Sequence, residues 1–398
     1  MTVLCIASYF KGGAFLETCK QQGCRVLLIT SEKLKEEPWP WESLDDVFYV
    51  PGNRDAWDLG DLIKSVSYLA RTEPLDRIVA LDDFDVEKAA ALREHLRVPG
   101  MGDTRSRYFR DKLAMRMQAR EAGIAVPPFV HVLNHDRIRA FTERVAPPWM
   151  LKPRSQASAM GIRRIDTAEA LWGILDDLGD EQSFFLLERF VPGTIFHVDS
   201  IVFDREVRFA RAHRYIETPI RVAQEGGIFC SHTLAYGSPH EEALLAVNAR
   251  VIEAMGLVRG VSHTEFIKAE EDGTLYFLET SARVGGANIA EMIEASSGLN
   301  LWREWARIEA LPPGEAYRLP APRVDHAGVI ISLARQEYPD LSAYDDPEVV
   351  WRLHKRHHAG LIVCSDQPER VQDLLHAYTR RFYDDFHATI PLPDRAGP

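Results

Sequence analysis

The chain has 398 residues, of which 46% are hydrophobic and 27% charged, and a formal net charge of −12 at pH 7. That length supports two or three domains with sizeable cores, and the composition is ordinary for a water-soluble globular protein. The acidic balance argues against a nucleic-acid-binding surface, and no run approaches the ~18 apolar residues needed to cross a membrane.

Cysteines 5, 19, 24, 230 and 364 are scattered without a CxxC pair, which fits a reducing cytoplasm better than a disulfide framework. The N-terminus has a short apolar run without the basic start and small-residue cleavage site of a signal peptide, so it reads as a first buried strand. Residues 3–8 (VLCIAS) run into Gly12-Gly13 and then a helical stretch up to Gly23. Strands follow at 25–30, 47–50 and 77–81, with helical patterns at 58–72 and 85–96. Strands alternating with helices predict a parallel sheet covered on both faces. The Gly12-Gly13 pair is not a dinucleotide-binding fingerprint.

Pro99-Gly100-Met101-Gly102 marks the first domain boundary. A charged helix is expected over about 103–122, then a strand at 128–133, a helix near 135–145 and a strand at 148–152. A loop at 153–160, a strand at 161–165, a helix at 167–178 and a strand at 184–188 come next. The pattern then turns antiparallel, with strands at 195–203, 206–213 and 228–235. Helices at 239–256 and about 287–309 flank a hairpin. Prolines 312, 313, 320 and 322 make a linker, and 324–390 reads as a small α+β tail with a helix at 367–385.

The hairpin, residues 264–286 (TEFIKAEEDGTLYFLETSARVGG), carries the most chemistry. A three-residue Glu271-Asp272-Gly273 loop, with glycine where a positive φ is wanted, sets Glu265 directly opposite Glu279. Alternation adds Ser281 and Arg283 to that face and puts Phe266, Tyr276 and Leu278 on the other. Directly opposed Cβ atoms lie roughly 5 Å apart. Two carboxylates that close repel unless a cation or proton lies between them. Oxygen ligands favour Mg²⁺, so the pattern predicts a hard-metal site beside an arginine. A solvated hairpin whose like charges face water is the alternative.

Other features are weaker singly. Lys152 ends a strand and enters a loop of mostly small residues that could approach phosphate oxygens, though a plain surface loop would look the same. Glu188 ends another strand, where a carboxylate beside exposed backbone could hold an adenine amino group, and where a charged strand end is also ordinary. Lys112 taken alone is one charge on a solvated helix.

Their order is more telling. Lys112, Lys152, Glu188, Glu265 and the run from Glu279 to Arg283 resemble the ATP-grasp superfamily over roughly residues 1–320. Within it the chain looks like the carboxylate–amine (L-amino acid/peptide) ligase branch related to biotin carboxylase. Residues 161–165 (GIRRI), 188–203 (ERFVPGTIFHVDSIVF) and 279–286 (ETSARVGG) carry the match. The resemblance implies an α/β and α+β fold. A Rossmann-like parallel-sheet domain would span 1–102, a small ATP-grasp subdomain with its linker helix 103–193, a large subdomain 194–320 and an α+β C-terminal segment 321–398.

It also implies ATP between the two subdomains, with Lys112 and Lys152 on its phosphates. The loop carrying Ser155, Ser158 and Met160 would close over them. Glu188 and the backbone of Phe190 and Val191 would read adenine, and His197 would lie at the ribose. Glu265, Glu279 and Ser281 would bind Mg²⁺, as two ions, with Mn²⁺ admitted. Arg283 and Lys152 would stabilise the acyl phosphate. Three positions depart from the family: Ser281 stands for the usual Asn, Ile195 for a second ribose Glu, and Ala287 for the bicarbonate-activating Glu of biotin carboxylases.

The function so implied is ATP-dependent joining of a carboxylate and an amine into an amide, on amino-acid or related small substrates, with no nucleic-acid or membrane partner and a homodimer admitted. Arg211, His213, Arg214 and Arg221 are candidate carboxylate readers, with the Gly226-Gly227 loop nearby. The rival readings are a biotin-carboxylase-like or nucleotide-precursor enzyme, and a catalytically silent ATP-binding module.

Overall fold

The N-terminal apolar strands pair in parallel, as their unbroken hydrophobicity requires of a sheet buried on both faces. In a computed structural model, which describes residues 1–52, 57–157 and 159–389, β1 (Thr2–Ala7), β2 (Arg25–Ser31), β3 (Asp46–Val50) and β4 (Arg77–Ala80) form a sheet in the order β3-β2-β1-β4. Val3 and Cys5 pack against Phe15 and Leu16 of α1 (Gly13–Gln21). Leu4 and Ile6 turn the other way, toward α2 (Leu59–Leu69) and α3 (Val86–Leu96).

The helix expected over 103–122 is broken into α4 (Asp103–Ser106) and α5 (Lys112–Glu121). Asp111 breaks it: its Oδ1 accepts from the amides of Leu113 (2.9 Å) and Ala114 (3.4 Å), an N-cap that starts a new helix. Lys112 thereby becomes the first residue of α5. A second, antiparallel sheet holds β5 (Phe129–His131), β6 (Trp149–Pro153), β7 (Arg163–Ile165) and β8 (Phe185–Arg189) in the order β5-β8-β6-β7. Residues of α6 (His135–Arg144) and α7 (Ala168–Leu178) complete its core, with Phe141 and Leu171 against Trp149 and Leu187.

The third sheet has eight strands. These are β9 (Gly193–Phe203), β10 (Glu206–Tyr215), β11 (Phe229–Thr233), β12 (Arg259–Ala269), β13 (Leu275–Ser281), β14 (His326–Leu333), β15 (Val349–Arg352) and β16 (His358–Ser365). Their order is β13-β12-β9-β10-β11-β14-β16-β15. Between β10 and β11 lies a helix not expected from the sequence, α8 (Pro219–Glu225), capped by Thr218 and opened by Pro219. α9 (Pro239–Met255) buries Leu244, Val251 and Ile252 against Val198 and Phe266. The long helix expected at 287–309 is two, α10 (Ile289–Ser297) and α11 (Leu301–Glu309). Gly298, at φ 78°, ends the first, and Asn300 caps the second.

The described residues after 321 do not build a sheet of their own. β14 pairs with β11, Phe229 opposite Ile331, so this segment extends the large sheet, and α12 (Pro368–Asp385) covers it. Among the described residues no helix is long and apolar enough to cross a membrane.

Candidate active site

The β12–β13 hairpin sets Glu265 against Glu279, by a different route from a three-residue loop. Ala269 donates to the Thr274 carbonyl at 2.9 Å, so the loop holds residues 270–273, with Gly273 at φ 72°. A bulge between Glu265 and Phe266 then restores the register. The bulge corrects the expected facing. Tyr276 and Leu278 cluster with Ile267 and Val191, and Phe277, not they, joins Phe266 in the core.

The carboxylates open on a cleft of about 390 Å³ walled by the second sheet, the third sheet and the turn after β4. Lys112 reaches it from the start of α5. Its Nζ lies 2.8 Å from Glu279 Oε2 and donates to the Gln156 carbonyl at 2.7 Å. Desolvation would raise the Glu279 carboxyl, but the Lys112 ammonium outweighs it and holds the group below its ordinary value. Lys152, at the end of β6, pairs with Glu188 on the neighbouring β8. Glu188 is buried, which raises its carboxyl, yet Arg116 and Lys152 together keep it ionised and depressed. Arg116, wholly buried on α5, donates from Nε to Glu188 at 3.0 Å and from Nη1 to the carbonyl of the bulged Leu278. One guanidinium therefore ties Glu188 to the hairpin that carries Glu279.

Phe190, Val191 and Met160 line the same cleft. The Phe190 amide is spent on Pro148, and the Val191 amide makes no such bond among the described residues. Ser155 presents its carbonyl to Arg110 at 2.6 Å and is not a cleft residue, and Ser158 lies outside the described residues. Ile195 takes a place in the apolar wall.

Arg283 is fastened from the first domain: its Nε and Nη2 donate to Asp83 Oδ2 at 2.8 and 2.6 Å. Burial would raise the Asp83 carboxyl, but Arg283 and Arg110 hold it well below the usual carboxylate range, and the pairing raises Arg283 in turn. Glu265 accepts from the Tyr215 hydroxyl at 3.0 Å and lies 3.6 Å from His263 Nε2. His263 Nδ1 lies 2.8 Å from Asp199. Burial lowers this imidazole, and Asp199 more than reverses it, to about 9. Asp83, Tyr215, His263 and Arg116 were not singled out from the sequence. The only signal for Asp83 is the acidic run Asp82-Asp83-Phe84-Asp85 directly after an apolar strand.

Several expected contacts fall elsewhere. His197 is fully buried within β9, Nδ1 at 2.6 Å from Asp199 and Nε2 at 2.8 Å from the Ser231 hydroxyl, so neither ring nitrogen faces the cleft. His213 stacks on it at 4.6 Å, and desolvation, helped by His197, lowers it to about 3. Arg211 is consumed by Glu241 of α9 at 2.7 Å, and Arg214 points to solvent. Arg221 sits on the outer face of α8 between Glu217 and Glu225. Gly226 is the left-handed cap of α8 and Gly227 closes its last turn. None of these six substrate candidates lines the cleft. Tyr215 and the apolar Ile220, Val222 and Ala223 of α8 line it instead.

Glu265, Glu279 and Ser281 all face the cleft, and the Ser281 hydroxyl makes no hydrogen bond among the described residues. Two opposed carboxylates and a free hydroxyl suit a hard divalent cation, and the lysines beside them suit phosphate oxygens.

No protein-family model matches this chain. It is 26% identical over 271 residues to the L-arginine-specific L-amino acid ligase of Bacillus subtilis, a match covering 66% of this chain and 64% of that protein. The chain thus spans less than two thirds of that relative's length. Among solved structures, an L-amino acid ligase from Bacillus licheniformis superposes with a TM-score of 0.76 at 18% identity, covering 97% of this chain and 98% of that one. The biotin carboxylase domain of the Hydrogenobacter thermophilus 2-oxoglutarate carboxylase, solved with MgADP and bicarbonate, superposes with a TM-score of 0.72 at 16% identity, covering 97% and 90%. The chain is therefore similar in sequence to an L-amino acid ligase and shares its fold with ATP-grasp carboxylate–amine ligases.

Proposed function

We propose that this protein is an ATP-dependent carboxylate–amine ligase that forms an amide bond between amino-acid-like substrates through an acyl phosphate. The observation that carries the reading is the opposition of Glu265 and Glu279 in one cleft with Lys112, Lys152 and Arg283. A substrate carboxylate oxygen attacks the γ-phosphorus of ATP, the bond to the β-phosphate oxygen breaks, and ADP leaves. Lys112 and Lys152 would leave their carboxylate partners for the phosphates. Glu265, Glu279 and Ser281 would hold Mg²⁺, which neutralises phosphate charge and polarises the γ-phosphoryl group. Two ions, with Mn²⁺ accepted, belong to this reading.

The amine then attacks the acyl carbon, the carbon–oxygen bond to phosphate breaks, and the amine gives up a proton. Arg283, held rigid by Asp83, would meet the negative charge that develops on the acyl phosphate. Phe190, Val191 and Ile195 would grip the adenine, with Glu188 at its rim. Residues 155–160 would close over the phosphates and keep water from the acyl phosphate. The apolar face of α8 and Phe229 favour an uncharged side chain on at least one substrate. A homodimer and a cytoplasmic location complete the proposal.

The test is ADP release with Mg-ATP across a panel of amino acids and dipeptides, with product masses measured. Release that needs two amino substrates, with a product of their summed mass less water, is expected. ATP binding without release for any pair would sink the ligase reading in favour of a silent module.

A further inference from the structure

A second and larger cavity, of about 640 Å³, lies behind the cleft. It is bounded by β4, α3, the 99–105 linker, the start of β12 and α11, and the proposed reaction does not use it. The cavity and cleft are back to back: Ser281 and Arg283 line the cleft, and Ala282 between them lines the rear cavity.

Its walls carry Arg77, Arg93, Arg105 and Arg259 against only Glu94 and Glu309. Arg93 is 8% exposed, and its Nε and Nη1 are bound to the carbonyls of Met101 (2.8 Å) and Ile78 (2.6 Å). Its Nη2 makes no hydrogen bond and the guanidinium no ion pair among the described residues. Desolvation pulls this guanidinium down to about 10, with Glu309 the one carboxylate acting against it. Arg77, also 8% exposed, donates from Nη1 to the Asp76 carbonyl at 2.9 Å, and its buried Nε, 3.5 Å from Glu309 in a long ion pair, makes no hydrogen bond. Glu309 is shared with the Trp305 indole at 3.2 Å, and Glu94 accepts from the Asp103 amide at 2.9 Å. Arg105 and Arg259 form no ion pair among the described residues. Buried guanidinium groups left this short of anions are costly unless something negative joins them.

The void is also shaped. A Cβ on Gly100, at φ 150°, would overlap the Arg93 side chain, which two hydrogen bonds hold in place, so glycine there lets the linker lie this close to α3. Ile78, Met101, Leu257 and Trp305 give the cavity an apolar floor. Guanidinium forks match the oxygens of phosphate and carboxylate, and an apolar floor takes an organic body.

We propose that this rear cavity is a second ligand site, for a small organic molecule carrying a multivalent oxyanion, with Arg77 and Arg93 as buried anchors and Arg105 and Arg259 at the mouth. The proposal stands apart from the ligase reading, because it concerns other residues and a binding readout.

Isothermal titration of the full chain with pyrophosphate and with citrate tests it. The Lys112→Met/Lys152→Met variant is titrated alongside to remove phosphate binding in the cleft. Saturable binding of at least one probe should persist in that variant. It should weaken by about tenfold or more in Arg105→Ala/Arg259→Ala, since each lost charge-assisted contact is strong. Arg93→Met should abolish it, but this change also removes two hydrogen bonds of the fold, so the mouth variant decides. Silence of both probes up to about 10 mM, the millimolar range of marginal affinities, would overturn the proposal. So would binding that the mouth variant leaves unchanged. Pyrophosphate binding without citrate binding would assign a phosphate ester, and the reverse a polycarboxylate.

Discussion

Glu279 faces the cleft as an anion because Lys112 lies 2.8 Å away. Its replacement by glutamine keeps the shape and removes the charge that would hold a divalent cation. Turnover of Glu279→Gln is expected to fall by about 10²–10³-fold, the scale of losing one preorganised electrostatic contact. The melting temperature should stay close to wild type, because the side chain is only half-buried. Retained ADP release in this variant would remove the metal assignment. Asp83 supplies a pH-dependent counterpart. Its folded pKa lies below the unfolded value of about 3.9, so its stabilisation is complete above that value and is lost as pH falls toward the folded one. Asp83→Asn leaves Arg283 without its anion and should cost about 3 kcal/mol near neutral pH. Urea unfolding at pH 5 and pH 3 should show wild type losing more stability between them than Asp83→Asn does. Equal losses would mean that the pair does not matter to the folded state.

Short elements position these residues. α5 starts at Lys112 because Asp111 caps it, and Arg154 in turn braces Asp111 through Nε at 3.0 Å. Asp111→Ala should cost about 1–2 kcal/mol as a lost N-cap. It should also raise the KM for ATP several-fold, since Lys112 would then hang from a frayed helix end; a stability loss with an unchanged KM would count against that role for α5. The β12–β13 bulge does similar work for Glu279. It brings the carboxylate opposite Glu265 after a four-residue loop, and Arg116 seals the bulged carbonyl.

Across the molecule, the cleft gathers side chains from all three sheets: Asp83 after β4, Lys152 and Glu188 from β6 and β8, and Glu265 and Glu279 from β12 and β13. A ligand that fills it stabilises every part it touches. Mg-ATP at about 100 times its Kd should add about 2.7 kcal/mol to the unfolding free energy. EDTA should remove most of the resulting rise in melting temperature. A rise that survives EDTA would show that nucleotide binding does not depend on the carboxylate pair.

How much was legible beforehand differs by feature. Hydrophobic runs bounded by Gly and Pro marked β1, β2 and β4 within a residue or so, because burial on both faces leaves an unbroken apolar signal. The facing of Glu265 and Glu279 was readable from the spacing around Asp272-Gly273, although the bulge that achieves it was not. Helix breaks at Asp111 and Gly298 were missed because single caps interrupt otherwise continuous helical patterns. The charged residues of β10 and α8 looked like substrate contacts, yet Arg211 and Arg221 are satisfied by Glu241, Glu217 and Glu225. The succession of elements and the carboxylate hairpin follow from local periodicity and turn chemistry, and those are written along the chain. Which charges meet depends on the packing of distant segments: Asp83 with Arg283, Arg116 with Glu188, and His197 buried beside Asp199. Those pairs join residues from 2 to 200 positions apart, and burial, which local spacing does not reveal, chooses the partner.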